Sequence, residues 1–326
     1  MAVLAPEVRS ATPRWLIRHE TLLAAILVVA LAILGLFNER FLTIDNLLNQ
    51  GRLMTEVGLL ALPMTFIIIS GGIDLSVGSI VGLCAIMLGY SWRNLGFPLP
   101  LGIAFAIGVG GVAGFVNGLL ITRVRVPPLI MTIATLALYR GFAEGISQAR
   151  SVRNYPEWFF FTGQGEWLGV PMQLWILLVG IIVAGVALDR TTFGRTLYAI
   201  GNNETAARFS GLPVDRVKLV VYTLSGLAAG LSAWVLVSRV TTTRSDMGSG
   251  YELDVIAAVV LGGTSIFGGV GTIWGTVVGL VMIQLLKNGL ALTGVKGDAT
   301  IIVIGAVLIA STLIASSLHG RREVAD

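Results

Sequence analysis

Long windows without a charged side chain exclude an ordinary soluble domain. The clearest, 255–286, has 32 residues and no charge. As a single helix it would be about 48 Å long, whereas the hydrocarbon core of a bilayer is about 30 Å thick. Glycines cluster near its centre, at Gly262, Gly263, Gly268, Gly269 and Gly271. The window therefore predicts two membrane spans joined at a glycine-rich break.

The whole chain shares this character, since 55% of its residues are hydrophobic and only 12% are charged, about half the charged share of a soluble domain. It is predicted to be an all-α polytopic membrane protein with about ten transmembrane helices, some broken at glycines. Besides the two spans within 255–286, the predicted spans are 21–37, 57–73, 75–92, 98–122, 127–147, 167–188, 219–238 and 299–318. Residues 1–20 and 319–326 are then tails flanking a transmembrane domain at 21–318.

Charge distribution gives the expected orientation. No small-residue cleavage site follows the first apolar window, so we expect an uncleaved span with a cytoplasmic N-terminus. More than half of the 22 basic residues then fall on the cytoplasmic side. The loop 148–166 falls outside and is rich in aromatic residues. Those aromatic side chains suit either membrane anchoring, the favoured interpretation, or docking of another protein.

Several kinds of chemistry lack the residues they need. The single cysteine, Cys84, excludes a disulfide framework, and His19 and His319 lie in opposite tails, so we predict no metal site. The net charge of +4 is spread along the chain, which argues against nucleic acid as a partner. No phosphate-binding loop of the form GxxxxGK[ST] is present, so any ATP would be bound by another subunit.

The polar segment 189–218 predicts a docking element on the cytoplasmic side. Asn202 can cap a helix with Glu204 in its first turn and Arg208 in its last, and Gly211 can end it in a left-handed conformation. A helix of about 12 Å over 203–210 needs a surface to pack on, so we expect Ala206, Ala207 and Phe209 to make contacts. The predicted docking residues are Asn203, Glu204, Thr205, Ala206, Ala207, Arg208, Phe209, Ser210 and Gly211.

Two glycine-containing breaks, GGIDLSVG at 71–78 and GGTSIFGG at 262–269, are either tight turns or broken helices that line a substrate path. They align at an offset of 191 residues, as a weak internal repeat would. Asp74, in the first break, is predicted to cap the helix starting at Leu75, in preference to contacting substrate. Glycines at four-residue spacing, as at Gly110 and Gly114 or Gly226 and Gly230, predict close helix packing within one subunit rather than a dimer seam.

Uncharged polar residues inside the apolar windows suit a neutral, hydroxylated solute, although each one also suits hydrogen bonding between helices. Arg140 and Glu144 are expected to pair on one helical face, and Lys287 to pair or to extend towards the membrane surface. With the residues of the two breaks, the candidates for a substrate path are Ser70, Gly72, Asp74, Asn117, Thr132, Thr264, Phe267, Gln284 and Asn288.

Four ordered motifs, GGIDLSVGS at 71–79, RVPPLIMT at 125–132, GNNETAARFSGLPV at 201–214 and LGGTSIFGGVGTIWGTVVG at 261–279, resemble the permeases of carbohydrate ABC importers. That family takes up ribose, xylose, galactose, rhamnose or the sugar-derived signal autoinducer-2. The broader importer pattern has Glu at the position of Thr205, so no ion-pair role is transferred to Glu204.

The resemblance implies a permease without catalytic activity of its own, set in the membrane lipid of a bacterial inner membrane. It implies a second permease subunit, either a copy or a paralogue, an ATPase subunit that uses ATP and Mg²⁺, and a periplasmic sugar-binding protein. The alternative is a secondary transporter driven by an ion gradient, which would show several ionisable groups within its spans. An integral membrane enzyme would need a nucleophile and a base there.

Overall fold

The computed structural model describes residues 41–292 and the isolated positions 35, 294, 302, 305 and 306. Apart from those positions, the predicted spans 21–37 and 299–318 lie outside this part of the chain. Within it the helices are α1 Ile44–Ile69, α2 Val77–Arg93, α3 Leu99–Arg123, α4 Pro128–Ser147, α5 Glu157–Gln164, α6 Met172–Arg190, α7 Thr192–Asn202, α8 Glu204–Phe209, α9 Val214–Val240, α10 Tyr251–Leu261 and α11 Ile273–Leu292. A two-residue antiparallel hairpin, β1 Glu166–Trp167 and β2 Val170–Pro171, precedes α6.

Six of the described helices are long and apolar enough to cross a membrane, namely α1, α3, α4, α6, α9 and α11. The prediction of an all-α polytopic membrane protein is therefore confirmed, but the count of about ten spans is not. The window 255–286 does break in two. Its first part, however, belongs to α10, which has 11 residues and a length of about 16 Å, too short to cross.

The first described span begins earlier than predicted. α1 starts at Ile44, with Thr43 as its N-cap, whereas the apolar window starts at 57. The intervening turns contain Glu56, which is completely buried and accepts from Nε of Arg239 at 2.6 Å. An uncharged window in the sequence ends at a residue such as Glu56. In the structure, the ion pair with Arg239 on α9 makes the burial of this carboxylate tolerable.

α9 lies at the centre of the bundle and contacts α1, α2 and α3. Its closest approach is to α3, where a Cβ added to Gly110 would lie 2.3 Å from the carbonyl oxygen of Gly226. A Cβ added to Gly114 would lie 2.1 Å from the carbonyl oxygen of Tyr222. Only glycine permits these backbone contacts, so the predicted packing of the glycine repeats within one subunit is confirmed.

Two nonhelical linkers lead from long helices to short ones. Residues 70–76 connect α1 to the 17-residue α2, and residues 241–250 connect α9 to α10. The starts of α2 and α10 meet, because a Cβ on Gly78 would lie 2.3 Å from the carbonyl oxygen of Gly248. Arg140 on α4 donates to the carbonyl oxygens of Ser245, Met247 and Gly78, instead of pairing with Glu144 as expected.

The order of long helix, linker, short helix and long helix thus occurs twice, in α1–α3 and in α9–α11. α1 ends, and α9 begins, at the end of the bundle that carries α7 and α8, which we call the α8 end. The two units therefore run in opposite directions, as in inverted repeats. The counterpart of the break at 70–76 is the linker 241–250, so the predicted repeat at an offset of 191 residues is wrong.

The aromatic loop divides between core and surface. Tyr155 and Phe159 are buried and stack at 4.8 Å, and Tyr155 also stacks on Trp92 at 4.6 Å. Trp158 and Phe161 remain exposed. Two of these four aromatic side chains therefore pack the loop onto the bundle at the end opposite α8, and the other two are available for anchoring or docking.

Candidate functional site

α8 is a single capped turn of helix between α7 and α9. The side chain of Asn203 accepts from the backbone N–H of Ala206 at 2.9 Å and so caps its first turn. The predicted cap, Asn202, is instead the last residue of α7. α8 consequently covers Glu204–Phe209 rather than 203–210, because the helix expected as one element follows a second helix with no loop between them.

The end of α8 has the geometry predicted for it. Gly211 has a φ of +80°. The N–H of Leu212 donates to the carbonyl oxygen of Ala207 at 3.1 Å, and the N–H of Gly211 donates to the carbonyl oxygen of Arg208 at 3.0 Å. These two bonds form a Schellman motif, which needs a left-handed residue after the helix. The predicted role of Gly211 as terminator is confirmed.

Four charged side chains tie α8 to α9. Glu204 accepts from Arg208 at 2.9 Å and from Lys218 at 2.5 Å, and Arg208 also donates to Asp215 at 2.5 Å. Burial raises the pKa of Glu204, but hydrogen bonds from Lys218 and Arg208 outweigh it and hold that pKa below its usual value. The hydrogen bond to Asp215, followed by that to Glu204, raises the pKa of Arg208. The network keeps both carboxylates ionised at neutral pH.

The apolar side of α8 is only partly covered. Ala207 is buried, as expected, but Ala206 is exposed and Phe209 is 89% exposed. Ala206 and Phe209 therefore still need a surface to pack on, and the prediction that this surface belongs to another protein stays a prediction. A large aromatic side chain on a helix fixed at both caps and by ion pairs is suited to contact another protein.

α7 joins α8 to two other parts of the bundle. A Cβ on Gly201 would lie 1.8 Å from the carbonyl oxygen of Ile69, the last residue of α1. The same oxygen accepts from the N–H of Gly269 at 2.9 Å, and the hydroxyl of Tyr198 donates to the carbonyl of Gly271 at 2.7 Å. α7 therefore contacts both the end of α1 and the loop 262–272. α7 is not among the predicted elements, because its residues lie within the polar segment 189–218.

Asp74 is completely buried in the first linker and is hydrogen-bonded three times. One carboxylate oxygen accepts from the N–H of Ser76 at 2.9 Å and from its hydroxyl at 2.6 Å, and the other accepts from the hydroxyl of Ser225 at 3.1 Å. Asn117 donates to Ser76 at 2.8 Å and accepts from Tyr139 at 3.1 Å. Asp74 thus caps the turn before α2 through Ser76, although α2 begins at Val77, not Leu75.

Asp74 lies at the depth of Ser225, because the two side chains are hydrogen-bonded. Ser225 lies about 16 Å along α9 from the first residue of that helix. α9 as a whole is about 40 Å long. The linker 70–76 therefore carries nonhelical backbone into the interior of the bundle. Such backbone is tolerated at membrane depth only where protein or a cavity surrounds it.

The nine candidates for a substrate path do not line one cavity. Ser70, Gly72, Asp74, Asn117 and Thr132 are buried around the first linker. Thr264 is buried in the loop 262–272 and Phe267 is 86% exposed there. On α11, Gln284 donates to Gln50 at 2.9 Å, and Asn288 accepts from Asn46 at 2.9 Å, both partners lying on α1.

Two cavities of about 430 and 340 Å³ are lined by none of these nine residues. The larger one lies at the end opposite α8 and the smaller one beside α8. Asp74 and Asn117 instead belong to a hydrogen-bonded cluster, and Gln284 and Asn288 belong to a seam of amide side chains between α1 and α11. Both are polar groups buried in an apolar bundle and satisfied by one another in this conformation.

Comparison with known proteins gives consistent results. The family model described as the permease component of branched-chain amino acid transport systems matches residues 44–312. The autoinducer 2 import system permease protein LsrD of Photorhabdus luminescens is 36% identical over 307 residues, which cover 92% of each chain. The proteins of the same name from Escherichia coli strain K12 and Shigella flexneri are 36% identical over 314 residues, 94% of each chain. No solved structure matches.

Proposed function

The chain belongs to the family of permease components of branched-chain amino acid transport systems, and from that premise we propose that it is the membrane-spanning subunit of an ATP-binding cassette importer. The proposed cargo is a monosaccharide or sugar-like solute, because the curated relatives are named for import of autoinducer 2. The observation that carries the proposal is α8, a capped helix with an exposed Phe209 that is fixed to the bundle on both sides.

In this proposal the ATPase is a separate subunit that binds ATP and Mg²⁺. Its groove receives α8, with contacts from the segment Asn203 to Gly211. Movement of α8 reaches α9 through the ion pairs of Glu204 and Arg208, and reaches α1 and the loop 262–272 through α7. The two contacts of α7 explain how one docking helix can act on both inverted units of the bundle.

The proposed path uses the buried polar groups around Asp74 and along the α1–α11 seam. Hydroxyl and amide side chains can exchange their mutual hydrogen bonds for bonds to a neutral, hydroxylated solute when the helices move apart. A second permease subunit, either a copy or a paralogue, completes the path, and a periplasmic sugar-binding protein delivers the solute. Selection among sugars then belongs largely to that delivering protein.

Gradient-driven transport is the weaker candidate. The charged side chains of the described spanning helices are mostly committed to one another: Glu56 to Arg239, and Lys287 to Asp254 at 2.6 Å. Arg140 is committed to backbone carbonyls. A relay for ions or protons needs groups that can change partners along the path, and these three sets are held in separate places.

The proposed location is a bacterial inner membrane, with the N-terminal tail 1–20, the docking segment 189–218 and the C-terminal tail 319–326 in the cytoplasm. The transmembrane permease domain is then 21–318. A cytoplasmic α8 end puts Arg123, Arg125, Arg208 and Lys218 on the side where basic residues are enriched.

Reconstitution in proteoliposomes tests the proposal. The chain, its ATPase and the binding protein encoded with it are expected to take up labelled ribose, xylose, rhamnose or autoinducer 2 only when ATP is present. Omission of either partner should abolish uptake. Uptake by the purified chain alone, driven by a sodium or proton gradient, would establish the secondary transporter instead.

A further inference from the structure

A basic cavity of about 340 Å³ lies beside α8, between it and the link from α3 to α4. Its charged lining comes from Arg125 in the link, Glu204 and Arg208 on α8, and Lys218 on α9. Arg123, the last residue of α3, and Arg125 both act electrostatically on Asp215 at the start of α9. The cavity therefore joins three elements of the α8 end.

The positive charge of this cavity is not balanced. Its lining carries three cations, Arg125, Arg208 and Lys218, and one carboxylate, Glu204, which leaves +2. Arg208 and Lys218 are already ion-paired, both with Glu204 and Arg208 also with Asp215. Among the contacts of the described residues, the side chains of Arg123 and Arg125 have no hydrogen bond and no ion pair. Two guanidinium groups thus remain available for an anion.

The backbone holds Arg125 at an unfavourable geometry. Its φ is +62°, a left-handed backbone conformation that residues other than glycine seldom adopt. The link is short, and the two prolines that follow, Pro127 and Pro128, fix the chain into the first turn of α4. Glycine would suit this backbone better, so the side chain of Arg125 can be removed by substitution with glycine without straining the link.

The surface next to the cavity is apolar. Val124 is 62% exposed, and on the first turns of α4, Leu129, Ile130 and Ile133 are 46%, 61% and 51% exposed. α4 is one of the helices suited to cross a membrane, and only 28% of its most apolar window is buried in the chain. A ligand at this place therefore meets the guanidinium group of Arg125 at one end and an exposed apolar surface at the other.

We propose that this cavity binds the phosphate of an anionic phospholipid, with Arg125 as the ligand, Arg123 adding positive charge nearby, and the exposed face of α4 against the acyl chains. Free phosphate is also an anion but gains nothing from the apolar face, so the adjoining surface favours the lipid. The bound headgroup would bridge the α3–α4 link to α8 and hold the docking helix in place. This inference concerns the chain alone and goes beyond transport itself.

The test uses the full chain in a zwitterionic detergent without its partners, so its outcome does not depend on the proposed function. Dioctanoyl phosphatidylglycerol, dioctanoyl phosphatidylcholine and inorganic phosphate are titrated separately, with the thermal unfolding midpoint and native mass spectrometry as readouts. Phosphatidylglycerol is expected to bind and raise the midpoint. The zwitterionic lipid and inorganic phosphate are expected to bind at least tenfold more weakly.

Arg125→Gly separates the ligand role from folding. Glycine suits the positive φ, so the variant without lipid should unfold at the same temperature as the parent or higher, while its affinity for phosphatidylglycerol falls about tenfold. Arg93→Gln is the control, because it neutralises an exposed arginine at the end of α2 opposite α8. Equal binding of inorganic phosphate, unchanged lipid affinity in Arg125→Gly, or an equal loss in Arg93→Gln would each overturn the proposal.

Discussion

Gly211 shows how a single backbone conformation can control a docking element. A Cβ at this position would meet nothing within 4 Å, so space does not require glycine. The φ of +80° does, because the Schellman bonds that end α8 form only in that conformation. Any effect of substitution there acts through the backbone and leaves the surrounding contacts in place.

Gly211→Val is therefore expected to destabilise the end of α8 by about 1–2 kcal/mol, since a β-branched residue is strained at positive φ. Membrane insertion should be normal, while ATP-driven uptake and stimulation of the ATPase fall together. Gly108→Val is the matched control, a helical glycine with equally open surroundings and no positive φ. Normal uptake and normal ATPase stimulation in Gly211→Val would count against the docking role of α8.

Asp74 offers a second test at this scale, because its carboxylate accepts hydrogen bonds from three buried donors. Asp74→Leu would leave the N–H and hydroxyl of Ser76 and the hydroxyl of Ser225 without their acceptor inside the bundle. Each such group costs about 1–3 kcal/mol, so we expect a clear drop in the thermal unfolding midpoint in detergent. Asp74→Asn keeps one acceptor oxygen and should lose less. Equal midpoints for the two variants would argue against the capping role.

Among the elements, α8 is held by both of its neighbours, and the two attachments differ in kind. The contact of Gly201 with α1 depends on backbone shape, whereas the attachment to α9 depends on charge. Glu204 is partly exposed, so its ion pairs are screened by water and each contributes less than a buried pair would. Lys218 is largely buried, which makes its bond to Glu204 the stronger of the two attachments made by this carboxylate.

A double-mutant cycle of Glu204→Gln and Lys218→Met measures that attachment. We expect a coupling free energy of about 0.5–1 kcal/mol at neutral pH, read from thermal unfolding in detergent. The lowered pKa of Glu204 fixes the sign of the pH dependence. The coupling is present above the ordinary pKa of a glutamate and is lost as the pH falls through the lowered one. Absence of coupling at neutral pH would show that the pair does not hold α8, and a coupling lost already at mildly acidic pH would contradict the lowered pKa of Glu204.

Local signals explain which elements the sequence could predict. The caps and glycine of α8 act within a few residues, and the apolar windows of α3 and α4 end at their own flanking residues, so these elements were found with nearly correct bounds. The burial of Glu56 depends on Arg239 on α9, and the linker 241–250 before the short α10 accepts hydrogen bonds from Arg140 on α4. Such long-range pairings leave no local pattern. The polar residue types of the site can be predicted from the sequence. The contacts between those side chains cannot.

For the whole molecule, the two inverted units give the fold a symmetry that the docking helix does not share. The linkers 70–76 and 241–250 enter the bundle from opposite ends and bring the starts of α2 and α10 together. α7 and α8 contact only one end, through Ile69 and the loop 262–272. A force applied at the α8 end therefore acts on the end of α1 in the first unit and on the loop between α10 and α11 in the second unit. Such a force can open one end of the bundle without opening the opposite end.

The orientation of the bundle in the membrane can be measured directly because Cys84, the single cysteine, is buried. Phe209→Cys and Trp158→Cys each introduce a thiol at a well-exposed position, at the α8 end and at the opposite end respectively. A membrane-impermeant maleimide should label Trp158→Cys in intact spheroplasts and Phe209→Cys only in inside-out vesicles. The parent chain should stay unlabelled in both. Labelling of Phe209→Cys from outside the cell would put α8 beyond the reach of any ATPase and would remove the basis of the proposed function, whereas the binding of phospholipid at the α8 end would still be testable on the purified chain.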